Sequence, residues 1–175
     1  MRQVTPQEAL SRKYPEWIVL VVSCAANGQV NVMPAGWSMV CSAKPPLYAV
    51  SVSPKRFTHK AILDSRAFVI AAPGPDMGEA VWYTGNHSGY DGDKMPASGL
   101  KTRPGTATPV PLIEGAVFNL ECRLVQQVET GDHTVFVGEI VAAHVDDSVE
   151  GRLMNFGDGI YGLAQLVEST RYEAK

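Results

Sequence analysis

Residues 17–37 read WIVLVVSCAANGQVNVMPAGW, two β-rich runs about an Asn-Gly pair. Trp17 to Ala25 is apolar and β-branched, the composition of a strand. Asn-Gly tolerates the positive φ angles of a two-residue type I′ turn, so Ala26-Asn27-Gly28-Gln29 predicts a hairpin. The return strand is expected from Val30 to about Ser42. With Ala26 opposite Gln29, Asn31 faces Cys24 and Trp37 faces Ile18. Asn31 and Trp37 then share one sheet face, unless Pro34, which cannot donate to a ladder, inserts a bulge. Cys24 and Cys41 fall far out of register, so no bond between them is expected.

Upstream, Thr5-Pro6-Gln7-Glu8 reads as a capping box with Pro at the first helical position and predicts a helix to about Lys13. Downstream, Lys44-Pro45-Pro46 is a turn. A strand is expected over Leu47–Ser53, a helix over Arg56–Ser65, a strand over Ala67–Ala72 and a helix over Asp76–Tyr83. Gly85 to Pro111 is rich in Gly, Pro, Ser and Thr, and loops of that length tend to be functional or to clamp a partner. Strands Val117–Val128 and Thr134–Val145 are joined at Thr130-Gly131-Asp132. A helix near Glu150–Asn155 and an apolar stretch, Ile160–Val167, close the chain. Many strands, a few short helices and no dividing linker predict one mainly β domain over residues 1–175, built as a β-barrel.

The 175 residues are 45% hydrophobic and 19% charged, an ordinary soluble mix. A net charge of −3 offers no global basic field for nucleic acid. No apolar run approaches the ~20 residues of a membrane helix. The polar start, Met1 to Lys13, lacks the apolar stretch of a signal peptide, and a cytoplasmic location is expected. Cys24, Cys41 and Cys122 form no CxxC. His59, His87, His133 and His144 show no zinc-ligand spacing. Redox chemistry here therefore requires a bound cofactor. No P-loop or GxSxG pattern occurs.

Four stretches hold candidate chemistry. Ser53-Pro54-Lys55-Arg56-Phe57-Thr58 carries a strand into a helix, and Lys55, Arg56, His59 and Lys60 crowd the helix start. The helix dipole opposes cations there, so an anion such as phosphate among them makes electrostatic sense. A solvated charged helix end is the plain alternative. Asn31 to Met39, with Trp37, offers an amide and an aromatic for a planar heterocycle, or simply a core Trp. Gly131-Asp132-His133 alone is a good turn. Gly85-Asn86-His87-Ser88-Gly89 with Asp93-Lys94 is, alone, a loop with one exposed lysine.

Together these segments resemble the flavin reductase-like family, and more closely its flavoredoxin branch, over about Tyr14 to Gly162. The parts fall in the family's order: Asn31-x-x-Pro-x-x-Trp37, Lys44-Pro45-Pro46, Ser53-Pro-x-Arg-x-Thr58, Gly85-x-x-Ser-Gly89 with Asp93-Lys94, Leu120-Glu121-Cys122, and Gly131-Asp132-His133-x-x-x-x-Gly138-Glu139. The resemblance implies an FMN-binding split β-barrel, a Greek-key antiparallel barrel, working as a homodimer with FMN near the subunit interface. It implies cofactor contacts from Asn31, Ala35, Gly36, Trp37, Ser38, Met39, Ser51, Ser53, Arg56, Thr58, Ser88, Lys94 and His133. Arg56, Thr58 and Lys94 would meet the phosphate and ribityl chain, and the Trp37–Met39 backbone would line the ring. The sequence departs from the family at Ala71, where Asn is frequent, and at Met95, where Phe often follows Asp-Lys.

The function implied is an oxidoreductase that takes electrons from NADH or NADPH through bound FMN to a flavin, a metal chelate or a redox protein, with His133 beside the reacting ring. The alternative is a non-enzymatic FMN-binding electron carrier fed by a partner protein. Neither reading involves nucleic acid or a membrane.

Overall fold

The computed structural model describes residues 1–163. The expected apolar stretch therefore lies beyond the described residues after Leu163. Thr5 does cap a helix, its Oγ1 accepting from the Glu8 N–H at 3.2 Å, but α1 spans only Pro6–Leu10. The Glu8 carboxylate pairs with Arg2.

After β1 (Glu16–Trp17), the hairpin is formed by β2 (Val19–Cys24) and β3 (Val30–Ala35). Its register differs by one residue from the expected one: Ser23 lies opposite Asn31 and Cys24 opposite Val30. Three residues make the turn rather than two. The Ala25 N–H bonds the Gln29 carbonyl at 2.9 Å, and the Gly28 N–H bonds the Ala25 carbonyl at 2.9 Å. Gly28, at φ +85°, supplies the positive angle, while Asn27 Oδ1 accepts from the Gln29 N–H at 3.1 Å. A type I turn closed by a left-handed glycine needs one positive φ where the type I′ turn needs two.

The return strand also ends early. β3 stops at Ala35, opposite Val19, and the chain breaks at Gly36-Trp37 before β4 (Ser38–Ala43), which pairs with β5 (Pro46–Val52). Trp37 therefore does not face Ile18. Pro34 stays in register opposite Leu20 without a bulge. It is tolerated because β3 is an edge strand, where a missing donor costs no ladder bond.

The chain continues through α2 (Phe57–Ser65), β6 (Ala67–Ala72), a 3₁₀ turn at Pro75–Met77, α3 (Gly78–Asn86) and α4 (Met95–Ser98). β7 (Thr102–Arg103) and β8 (Leu112–Ile113) form a small ladder within the long segment, and β9 (Phe118–Thr130) and β10 (His133–Val145) follow. The helix expected near Glu150–Asn155 is instead a strand, β11 (Leu153–Gly157), paired with β1 and with β12 (Ile160–Leu163). Gly157, Asp158 and Gly159 all have positive φ and turn β11 back into β12.

Seven strands form one antiparallel sheet in the order β3-β2-β6-β9-β10-β5-β4. Its two edges, β3 and β4, are joined by only Gly36 and Trp37. A sheet whose opposite edges are two residues apart must curl until they meet, so the result is a barrel split along the β3/β4 seam. Val19, Val21, Val50, Val52, Phe68, Ile70 and Phe136 fill its interior, with Ile62 of α2 packed among them. The other face of β2 and β6, carrying Leu20, Val22, Val69 and Ala71, is covered by Val81 of α3, Leu112, Ile113 and Leu153. β2 as far as Val22 and all of β6 are apolar because both their faces are buried. Gly138 in β10 lets the sheet close on itself, since a Cβ there would sit 2.6 Å from Phe68 Cζ and 2.7 Å from Cys122 Cβ.

Candidate functional site

A cleft of about 300 Å³ opens where the end of β3, the start of α2, the segment after α3 and the start of β10 converge. At its floor lies Asn31, 1% exposed, whose Nδ2 donates to Thr58 Oγ1 at 2.8 Å. Its Oδ1 is buried and has no hydrogen-bond partner among the described residues. An unsatisfied buried acceptor costs roughly 1–3 kcal/mol and is rare unless a ligand satisfies it. The chain passes close by at Gly89, where a Cβ would lie 2.8 Å from Asn31 Oδ1 and 2.6 Å from the Phe57 ring.

One end of the cleft is cationic. Arg56 precedes the first residue of α2 in an extended conformation, no side chain caps that helix, and its first turn holds no acid. Its first N–H groups are thus available to an anion. Lys94, 6% exposed, donates from Nζ to the carbonyls of Thr84 at 2.7 Å and His87 at 2.9 Å. Burial first, and then the Arg56 charge, push its pKa down to about 8. Among the described residues neither Arg56 nor Lys94 has a salt-bridge partner. Lys94 is therefore not the exposed lysine that its loop alone would suggest.

The other end is aromatic. Trp37, 54% exposed, lies with its ring centroid 4.9 Å from that of His133. The Trp37 carbonyl accepts from the Ser51 N–H at 2.9 Å, which pins the seam to β5. His133 Nδ1 is 2.7 Å from Asp132 Oδ1. A carboxylate only accepts, so Nδ1 carries the proton. The hydrogen bond from His133, followed by its charge, holds the Asp132 carboxyl below its usual range. Neutral His133 then has Nε2 as an acceptor, and protonated His133 has it as a donor. His59 Nε2, 3.0 Å from Thr134 Oγ1, ties α2 to the strand that carries His133.

Of the residues singled out from the sequence, Asn31, Ala35, Gly36, Trp37, Ser51, Ser53, Arg56, Thr58, Ser88, Lys94 and His133 line this cleft. Ser38 and Met39 do not; they line a separate apolar groove with Trp17, Val40, Tyr48, Phe118 and Leu120. Ser38 Oγ is 3.1 Å from Tyr48 Oη. Ala71 is fully buried in the outer apolar cluster and is absent from the cleft lining. Lys13, Tyr14 and Glu16 also line the cleft. Nothing local marks them, because β1 is carried there by its pairing with β11, over a hundred residues later in the chain.

The sequence model described as a flavin reductase like domain matches residues 11–164. A protein of Archaeoglobus fulgidus, described as uncharacterized, is 39% identical over 79% of this chain and 78% of its own length. The crystal structure of an FMN-binding protein from Thermus thermophilus with bound p-hydroxybenzaldehyde superposes with a TM-score of 0.85 at 33% identity, covering 99% of this chain and 98% of that one. The flavoredoxin of Desulfovibrio vulgaris (Miyazaki F) superposes with a TM-score of 0.84 at 26% identity over 99% of both chains.

Proposed function

Because the chain belongs to the flavin reductase-like family, we propose that it binds FMN in this cleft and passes electrons from NADH or NADPH through it to a flavin, metal chelate or protein acceptor. The observation that carries the reading is the pairing of a buried Asn31 Oδ1 with two cations, Arg56 and Lys94; among the described residues the oxygen has no hydrogen-bond partner and neither cation has a salt-bridge partner. Arg56, Lys94 and the open start of α2 would hold the phosphate. Asn31 Oδ1 would accept from a ribityl hydroxyl, with Thr58 fixing the amide orientation. The ring would lie toward Trp37 and His133. Bound flavin supplies the reversible electron chemistry; the protein supplies placement and charge.

The phosphate assignment is tested by comparing FMN with riboflavin in fluorescence-quenching titrations. FMN is expected to bind at least a hundredfold more tightly, because riboflavin forfeits charge-assisted hydrogen bonds of roughly 1.5–3 kcal/mol each. Thr58→Val should weaken FMN about tenfold, since it strips Asn31 of its partner as well as losing a hydroxyl. Equal affinity for FMN and riboflavin would place the phosphate elsewhere.

His133, held through Nδ1 by Asp132, would accept from a nicotinamide carboxamide when neutral. When protonated, it would donate to negative charge developing on the ring. His133→Ala should retain FMN and slow its reduction by NADH or NADPH up to about a hundredfold in single-turnover stopped flow. An unchanged rate and saturation would leave His133 a neighbour of the cofactor only. The same traces separate the two readings. Fast bleaching by a nicotinamide supports the reductase, whereas slow bleaching with fast exchange to a redox protein supports the carrier, a reading favoured by the exposure of Trp37 at the cleft mouth.

The separate apolar groove supports a homodimer. Met39 and Val40 are 62% and 65% exposed on β4, an edge strand, beside the apolar groove under Trp17 and Phe118. Covering them over ~1,000 Å² or more gives a stable interface. Light scattering at micromolar concentration should return twice the 18.9 kDa chain mass; a monomer would contradict the assembly. No helix among the described residues is long and apolar enough to cross a membrane.

A further inference from the structure

The aromatic end of the cleft holds a cation as well. Lys13, its side chain 28% exposed, forms an ion pair with Glu16, 16% exposed. Its ammonium stands 5.1 Å from the Tyr14 ring centroid and 5.7 Å from that of Trp37. Trp37 is in turn the ring that meets His133. Glu16 is fixed from the other side, since Asn155 Nδ2 donates to its Oε1 at 3.1 Å. Gly36 leaves the room it occupies, because a Cβ there would lie 2.4 Å from the same oxygen. The lysine is thus placed by two aromatic faces and one anchored carboxylate, at the opposite end of the cleft from Arg56 and Lys94.

An ammonium has three donors, and one carboxylate does not satisfy them all. Flanking rings stabilise the cation and leave its remaining donors to whatever stacks at Trp37. We propose that Lys13 is the specificity residue of this end of the cleft, binding the oxyanion group, carboxylate or phosphate, of a planar substrate that stacks against Trp37. Glu16 opposes it: by sharing the ammonium, it weakens binding of the incoming anion and keeps Lys13 in place when the cleft is open. The proposal rests on the flavin reading for the identity of the site, though not for the anion preference itself.

The test uses two ligand pairs that differ in charge at nearly constant shape, titrated against the FMN-loaded protein by perturbation of the flavin spectrum. Benzoate against benzamide reads a carboxylate. Nicotinamide mononucleotide against nicotinamide riboside, which lacks only the phosphate, reads a phosphate, and neither reduces the flavin. Lys13→Met should lower the affinity ratio of at least one pair about tenfold, and Lys13→Arg should restore most of it. Glu16→Gln, which keeps an acceptor for Asn155, should raise the same ratio several-fold. Opposite signs from the two sides of one ion pair are not produced by a merely structural role. The pair that moves identifies which source of anion the site reads. Ratios unchanged in both Lys13→Met and Glu16→Gln would overturn the proposal. Should the protein take up no flavin, calorimetric titration of benzoate and benzamide into the flavin-free protein still decides the role of Lys13, so the two failures are distinguishable.

Discussion

Glu121→Ala is expected to lower the free energy of unfolding by about 3–5 kcal/mol, the usual cost of removing one member of a buried charged network. Glu121 is fully buried on β9, and its carboxylate organises the otherwise irregular chain between β7 and β8. Oε1 accepts from the Thr106 N–H at 2.9 Å, Thr106 Oγ1 at 2.7 Å and His144 Nε2 at 2.9 Å. Oε2 accepts from the N–H groups of Ala107 at 2.9 Å and Thr108 at 2.7 Å, and from Thr108 Oγ1 at 3.1 Å. Burial alone would push this carboxyl up. The donors, led by the Thr106 N–H and His144, outweigh burial and hold it well below the usual carboxylate range.

A carboxyl depressed on folding contributes stability that is fully present above its unfolded value near 4.5 and is lost as pH falls through the folded value. The wild-type advantage over Glu121→Ala should therefore be full at neutral pH and shrink below about pH 4. Guanidinium unfolding of both proteins across that range measures it. For a chain of this size the neutral-pH deficit corresponds to about 10 °C in Tm. A deficit under about 1 kcal/mol would mean that the loop finds equal satisfaction in water. Glu121→Gln should also be destabilised, since an amide turns one NH₂ toward backbone donors that need an acceptor.

Lys94→Met should weaken FMN binding by about a hundredfold or more at pH 7, and it should also abolish a pH dependence that wild type shows. In the flavin-free protein, burial and the Arg56 charge place the Lys94 pKa at about 8. A phosphate dianion favours the ammonium and raises that value. Wild-type affinity should therefore be flat between about pH 7 and 8, where the phosphate is a dianion, and then fall about tenfold per pH unit, because binding must take up one proton. Stability of the flavin-free protein moves the other way. Between the depressed folded pKa and the ordinary 10.5 the unfolded chain holds more protons, so folding becomes more favourable as pH rises through that window. Titrations at pH 7, 8 and 9 with both proteins test this. Parallel profiles for wild type and Lys94→Met would remove Lys94 from the phosphate site. Met also cannot donate to the carbonyls of Thr84 and His87, so a melting curve for the variant belongs beside the titration.

Much of the barrel was legible from local pattern. The runs at Ala67–Ala72, Leu47–Ser53 and Thr134–Val145 appear as strands within a residue or two of expectation, because β-branched runs bounded by turn chemistry have few other uses. The errors came where several local signals compete. Ala26-Asn27-Gly28 accommodates either turn type, and the one adopted shifts the register by one residue. Leu153–Gly157 has no strong period of its own; it becomes a strand because β1 and β12 supply partners on both sides. The site was legible as a set of residue types in order, to the extent that Asn31, Arg56, Thr58 and Lys94, singled out from the motifs, line one cleft.

The sequence by itself determined that the chain is built of antiparallel strands, which residues punctuate them, and which polar residues belong together. Tertiary structure alone decided three things. Gly36-Trp37, inside what reads as one continuous strand, is the seam of the split barrel, because sheet closure leaves β3 and β4 on opposite edges. Lys94 is a buried cation with a depressed pKa rather than a surface charge, because Thr84 and His87 carbonyls accept it where α3 ends. Lys13 and Glu16 reach Trp37 because β1 pairs with β11 far along the chain. Local sequence encodes periodicity and turn preference, which act over a few residues. Burial of a charge and convergence on a cleft depend on which distant segments meet, and that is set only when the sheet closes.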